Sequence, residues 1–142
     1  MHAGEEEGKR VFREVLEEAQ RLKTEGESED IVEWLSVIEG SVYDARTVVL
    51  PQCTGRGMGF LKKALVWSFF YLYHDISYTD TIKDMLLQGG DTDTNAAIAG
   101  GLIGARYTLH GDTEAEWVKK MLIFDCTKRI GHTRDSWLSP HL

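Results

Sequence analysis

An all-α fold is predicted for this 142-residue chain by three observations. Apolar residues recur at helical rather than alternating spacing over most of its length. Only Pro51 and Pro140 interrupt the backbone, so long helices are free to form. Runs of β-branched residues are short, and the one strand-like run, residues 48–50, stops at Pro51.

The elements follow in order. Val11, Val15, Ala19 and Leu22 repeat among Glu, Lys and Arg, which predicts an amphipathic helix over 5–23. Gly26 and Ser28 break and recap it. Ile31, Trp34, Leu35 and Ile38 mark a second helix ending at Gly40. The pattern fades over 41–59. Gly55, Gly57 and Gly59 there could suggest a phosphate loop, but the Lys-Ser/Thr that would follow is missing, so a helix entry is the better reading. Residues 58–75 are apolar on almost every face except at Lys62 and Lys63, as in a helix central to a core. Asp80, Ile82, Met85, Leu86 and Leu87 carry the next helix, which stops at Gly89 and Gly90. A helix over 94–107 has Gly100, Gly101, Gly104 and Ala105 along it. Such costly helical glycines suggest that a backbone or a ligand approaches closely. A last helix is expected over 114–121, within a single helical domain over 1–142.

Composition excludes several functions. A net charge of -7 argues against non-specific nucleic-acid binding, which needs a basic face. The longest apolar run, 64–73, is too short for a bilayer, which needs roughly 20 residues, so no membrane association is expected. Cys53 and Cys126 have neither metal-ligand spacing nor a disulfide framework. The first residues are acidic and polar, unlike a signal peptide. The expectation is an intracellular, cytoplasmic protein. His74 ends an apolar helix, where an interaction with the helix C-terminus suits it better than catalysis. Trp34, Trp67, Trp117 and Trp137 are expected mainly in core or partner contacts.

The chemistry gathers at Gly89-Gly90-Asp91-Thr92-Asp93-Thr94-Asn95. Within a regular helix, residues two apart point about 200° from each other, so Asp91 and Asp93 could not share an ion. In a glycine turn entering a helix they can converge, with Thr92 or Asp93 as the cap and the Thr94 hydroxyl in the first turn. An all-oxygen set suits Mg²⁺, Mn²⁺ or Ca²⁺ rather than zinc. Asp and Thr are also favoured at a helix start simply because they satisfy free N–H groups. An EF-hand loop fails where it needs Gly and Glu, because Ala96 and Leu102 stand there.

The string from Gly89 through Ala105 closely resembles the C-terminal metal motif of the ADP-ribosylglycohydrolase family, which includes dinitrogenase-reductase-activating glycohydrolases and J-crystallins. The apolar helix before it, and the tail around Gly131-His132-Thr133-Arg134, are similar to the family as well. The resemblance is strongest over 58–142 and weaker over 1–57. It implies an all-α fold around a binuclear Mg²⁺ or Mn²⁺ centre and the hydrolysis of ADP-ribose from a modified acceptor. It further implies Asp91, Asp93 and Thr94 as metal ligands, with Asp93 bridging the ions and helping to position the attacking water.

Family members are longer, and their N-terminal half carries a Thr-Asp-Asp cluster with the remaining ligands. No adjacent Asp-Asp pair occurs here, so the chain resembles the C-terminal half. Asp135 also stands where the subgroup's tail has Pro. The expectations are an incomplete ADP-ribosyl hydrolase, half of a split enzyme whose other chain supplies the first half, or a catalytically inactive helical module prone to self-association. No substrate-binding residue is singled out.

Overall fold

The computed structural model describes residues 3–26, 29–43, 50–106, 116–117 and 119–120. The chain divides into two compact units, residues 1–108 and 109–142. In the second unit, residues 116, 117, 119 and 120 are helical, and Lys120 pairs with Glu116 at 2.7 Å across one turn. The rest of the helix expected over 114–121, like the strand-like run at 48–49, lies outside the described residues.

The first unit is built of five helices: α1 (Ala3–Thr24), α2 (Glu29–Ser36), α3 (Leu61–Tyr73), α4 (Tyr78–Leu87) and α5 (Thr92–Arg106). No strand occurs among the described residues, and the all-α expectation holds. Helix α3 is the hub. Its residues Ala64, Val66, Trp67, Phe70, Tyr71 and Leu72 are buried, and it packs against α1, α2 and α5. Phe12 and Leu16 from α1, Leu35 from α2, Met85 from α4 and Ala99 and Ile103 from α5 complete this core. At roughly 25 cal/mol per Å² of apolar surface removed from water, each large side chain here contributes about 1.5–3 kcal/mol. At Gly8 the backbone of α1 runs close to the end of α3; a Cβ there would collide with the Leu72 carbonyl.

Helix α3 ends in a Schellman turn, in which the N–H of Ile76 bonds the Tyr71 carbonyl (3.0 Å) and that of Asp75 bonds Leu72 (3.3 Å). The left-handed position is filled by Asp75 (φ 53°) instead of glycine. Its carboxylate meets Arg106 at the far end of α5, 2.9 Å away, which compensates the backbone strain. His74, the C-cap of that helix, lies tilted against the Phe70 ring at 4.5 Å and 3.0 Å from the Ser41 hydroxyl. Burial holds its imidazole below the usual histidine range, and the Lys9 charge adds to this.

Helix α4 starts earlier than its apolar pattern suggests. Ser77 caps it by accepting from the Asp80 N–H at 3.1 Å, and its own hydroxyl donates to the Asp80 carboxylate at 2.8 Å. The helical glycines divide by face. Gly100 and Gly104, four residues apart and so on one side, admit Ile82 and Tyr78 of α4, whereas nothing lies within 4 Å of a Cβ built on Gly101. At Gly100 and Gly104 the close approach is made by side chains of the neighbouring helix.

Candidate functional site

The site forms where α4 turns into α5. Gly89 (φ 71°) and Gly90 (φ 73°) both take the left-handed conformation, which glycine adopts without steric cost. The turn rests on a strap of residues 50–54. A Cβ on Gly90 would lie 2.7 Å from the carbonyl carbon of Cys53 and still closer to its oxygen, and one on Gly89 would lie 3.0 Å from the Thr54 methyl. Two side chains of α3 hold the strap. The Lys63 ammonium donates to the Thr54 carbonyl (3.1 Å), and the Trp67 indole N–H donates to the Pro51 carbonyl (2.9 Å). Cys53 is buried in the strap, and burial pushes its thiol up despite the Lys63 charge nearby.

The end of α4 is fixed from the other side. Buried Asp84 accepts from the Tyr71 hydroxyl at 2.8 Å and from the Gln88 side-chain amide at 3.3 Å. Gln88 is the C-cap of α4 and immediately precedes Gly89.

From this turn Asp91 enters α5. Its carbonyl accepts the Asn95 N–H at 3.0 Å, and the Thr92 N–H bonds the Gly90 carbonyl at 3.0 Å. The helix thus begins at Thr92 with Asp91 at the capping position, two residues earlier than the sequence suggests. The Asp91 carboxylate sits over Gly59, where a Cβ would be 3.0 Å from its Oδ2.

Asp93 is exposed in the first turn of α5. The neighbouring Asp91 side chain comes first among the causes that hold the Asp93 carboxyl below the usual range, followed by the backbone N–H groups of Thr94 and of Asp93 itself. Asp91 thus stands at the turn before the helix and Asp93 inside its first turn, so the two acids are not held to the opposed directions of a continuous helix. Two carboxylates brought together repel each other unless a proton or a cation lies between them. Thr94 is exposed in the first turn of α5, beside Asp93. Asn95 is 2% exposed, so it turns away from the pair into the interior, which removes any EF-hand-like set.

Both carboxyls and the Thr94 hydroxyl offer oxygen to a hard cation. They fit one part of a coordination shell only. Among the described residues, no group of three or more His, Cys, Asp or Glu side chains could hold a metal ion.

A half-exposed aromatic edge adjoins the corner. Phe60, next to Gly59, packs edge-on against Trp34 at 5.4 Å, and Lys62 lies over the Trp34 ring at 5.5 Å. The positioning residues Lys63, Trp67, Tyr71 and Asp84 were not singled out for this site by the sequence. Only the oddity of a lysine in an otherwise apolar helix hints at the first of them.

Fold and site define a helical protein that presents two acidic residues at a glycine corner. The ADP-ribosylglycohydrolase family model matches residues 2–136, and the chain belongs to that family. Over 80 residues it is 31% identical to a protein of Acanthamoeba polyphaga mimivirus described as an ADP-ribosyl glycohydrolase. That match takes in 56% of this chain and 24% of the viral protein, so the chain matches about a quarter of this relative's length. No solved structure matches the chain.

Proposed function

We propose that this chain carries one half of a metal-dependent active site that removes ADP-ribose from a modified acceptor. The observation that supports this most is the glycine corner, which sets Asp91 at the capping position of α5 with Asp93 and Thr94 exposed in its first turn. Asp91, Asp93 and Thr94 would hold Mg²⁺ or Mn²⁺. A bound divalent ion supplies positive charge to oxygens that gain electron density as the glycosidic bond breaks. The exposed Asp93 carboxylate would orient a water toward the anomeric carbon by accepting a hydrogen bond from it. Gly59 leaves the space that the Asp91 carboxylate occupies, and the strap fixes the turn from which both acids project.

Three protein oxygens leave most of an octahedral shell to other ligands. A second chain bearing further carboxylates would complete the shell, as in a split enzyme. A reducing, cytoplasmic compartment would suit the free, buried thiol of Cys53. No helix among the described residues is long and apolar enough to cross a membrane.

Calorimetric titration with Mn²⁺ tests the reading. The unmodified chain should bind the ion, and Asp91→Ala and Asp93→Ala should abolish binding while leaving the helical circular dichroism intact. Equal binding by all three proteins would defeat it.

A second reading, a catalytically inactive helical module, is favoured by the missing third acidic ligand among the described residues. Exposed Phe60, Leu61, Leu86 and Leu87 would then serve self-association, which sedimentation measures. Release of ADP-ribose from a modified protein by this chain alone would rule the module reading out.

A further inference from the structure

We infer that Lys63 is a positioning residue for the carboxylate corner, acting through the Thr54 carbonyl rather than touching any ligand; its bearing on metal binding rests on the function proposed above. Four observations converge on it. Lys63 is only 8% exposed, although a lysine in the first turn of a helix can ordinarily reach water. An ammonium withdrawn from water stays only where its hydrogen bonds offset the lost hydration, and the Thr54 carbonyl accepts one at 3.1 Å. Thr54 and Cys53 are in turn the surface on which Gly89 and Gly90 rest. The residue after Gly90 is Asp91, whose carboxylate lies back over Gly59, four residues before Lys63.

The path is therefore closed. Lys63 holds the strap, the strap seats the glycine turn, and the turn sets Asp91 over Gly59 at the entry to α5. Trp67 secures the same strap through Pro51 one helical turn further on, so the loss of Lys63 loosens the near end of the strap while the far end stays anchored. The effect should be local. The hydrophobic core around α3 does not include the Lys63 ammonium, whereas the Thr92 and Asn95 amides bond directly within the corner.

The test compares the unmodified chain with Lys63→Met, which keeps the length and removes the donor, and Lys63→Arg, which keeps a donor. Site-resolved amide hydrogen exchange reads the corner without any metal. Lys63→Met should speed exchange at Thr92 and Asn95 about tenfold or more, the scale of losing a charge-assisted bond. Amides in the middle of α3, such as those of Phe69 and Phe70, should change far less, and Lys63→Arg should return most of the protection. Mn²⁺ titration of the same proteins should show weakened binding in Lys63→Met and recovery in Lys63→Arg. Unchanged exchange at Thr92 and Asn95 in Lys63→Met, or a uniform rise over every helix, overturns the assignment. Exchange that responds as expected in a chain that binds no Mn²⁺ upholds the positioning by Lys63 and sinks the metal reading instead.

Discussion

Replacing Gly90 and Gly101 by alanine, one at a time, should move stability in opposite directions. At Gly90 two costs add. Its φ of 73° places alanine in the left-handed region, at about 1–2 kcal/mol. The new methyl would also stand 2.7 Å from the Cys53 carbonyl carbon and closer to its oxygen. Ordinary contact needs a shift of the order of 1 Å by backbone on one side or the other, and neither side ends in a flexible side chain. Together these predict a loss of about 2–4 kcal/mol. Gly101 lies inside α5 with nothing within 4 Å of its virtual Cβ. Alanine there only removes backbone freedom from the unfolded chain and should gain about 0.5–1 kcal/mol. Equilibrium urea unfolding, read at constant denaturant dependence, measures both. The reasoning is refuted if Gly90→Ala falls within about 0.5 kcal/mol of the parent, or if Gly101→Ala destabilises.

Three further outcomes are expected. Tyr71→Phe removes the hydroxyl that donates to buried Asp84 and should cost about 1.5–3 kcal/mol in urea unfolding, the range for a bond to a charged group. For His74, burial depresses the folded-state pKa below its ordinary 6.5, so the unfolded chain binds the proton more readily. Stability should be constant in this respect above that value and fall as the pH drops from 6.5 toward the folded-state pKa; His74→Gln should flatten the slope in that window. Asp75→Asn keeps a residue that tolerates positive φ but removes the charge facing Arg106 at 2.9 Å. It should lower stability by about 1–2 kcal/mol, more than an exposed pair would, because Arg106 is 13% exposed.

The helices were legible because their evidence is local. The spacing of Val11, Val15 and Ala19 reports one buried face whatever it packs against, and the unbroken apolar run of α3 reports its central place. The glycine corner was legible for the same reason, since positive φ at Gly89 and Gly90 is a property of consecutive residues. What sequence could not supply are contacts between distant segments. Gly90 against Cys53, Asp91 over Gly59 and Lys63 against Thr54 each join residues that no local pattern couples. Lys63 looked like a polar break in an apolar helix, and its burial follows from the strap folding over it. The turn at Asp75 gave no signal either, because glycine is the usual residue there and the compensating partner, Arg106, is thirty-one positions away. The helical glycines show how a pattern can be noticed yet misassigned. Their abundance was plain, but only the packing of α4 separates Gly100 and Gly104 from Gly101.

The central claim is that the corner directs the oxygens of Asp91, Asp93 and Thr94 toward one divalent ion. Anomalous diffraction from crystals of the chain grown with Mn²⁺ tests it most directly. The account predicts a manganese peak between the two carboxyls, within bonding distance of an oxygen from each and of the Thr94 hydroxyl. A corner in which the two acids share only each other and backbone N–H groups, with no peak at saturating Mn²⁺, would contradict it.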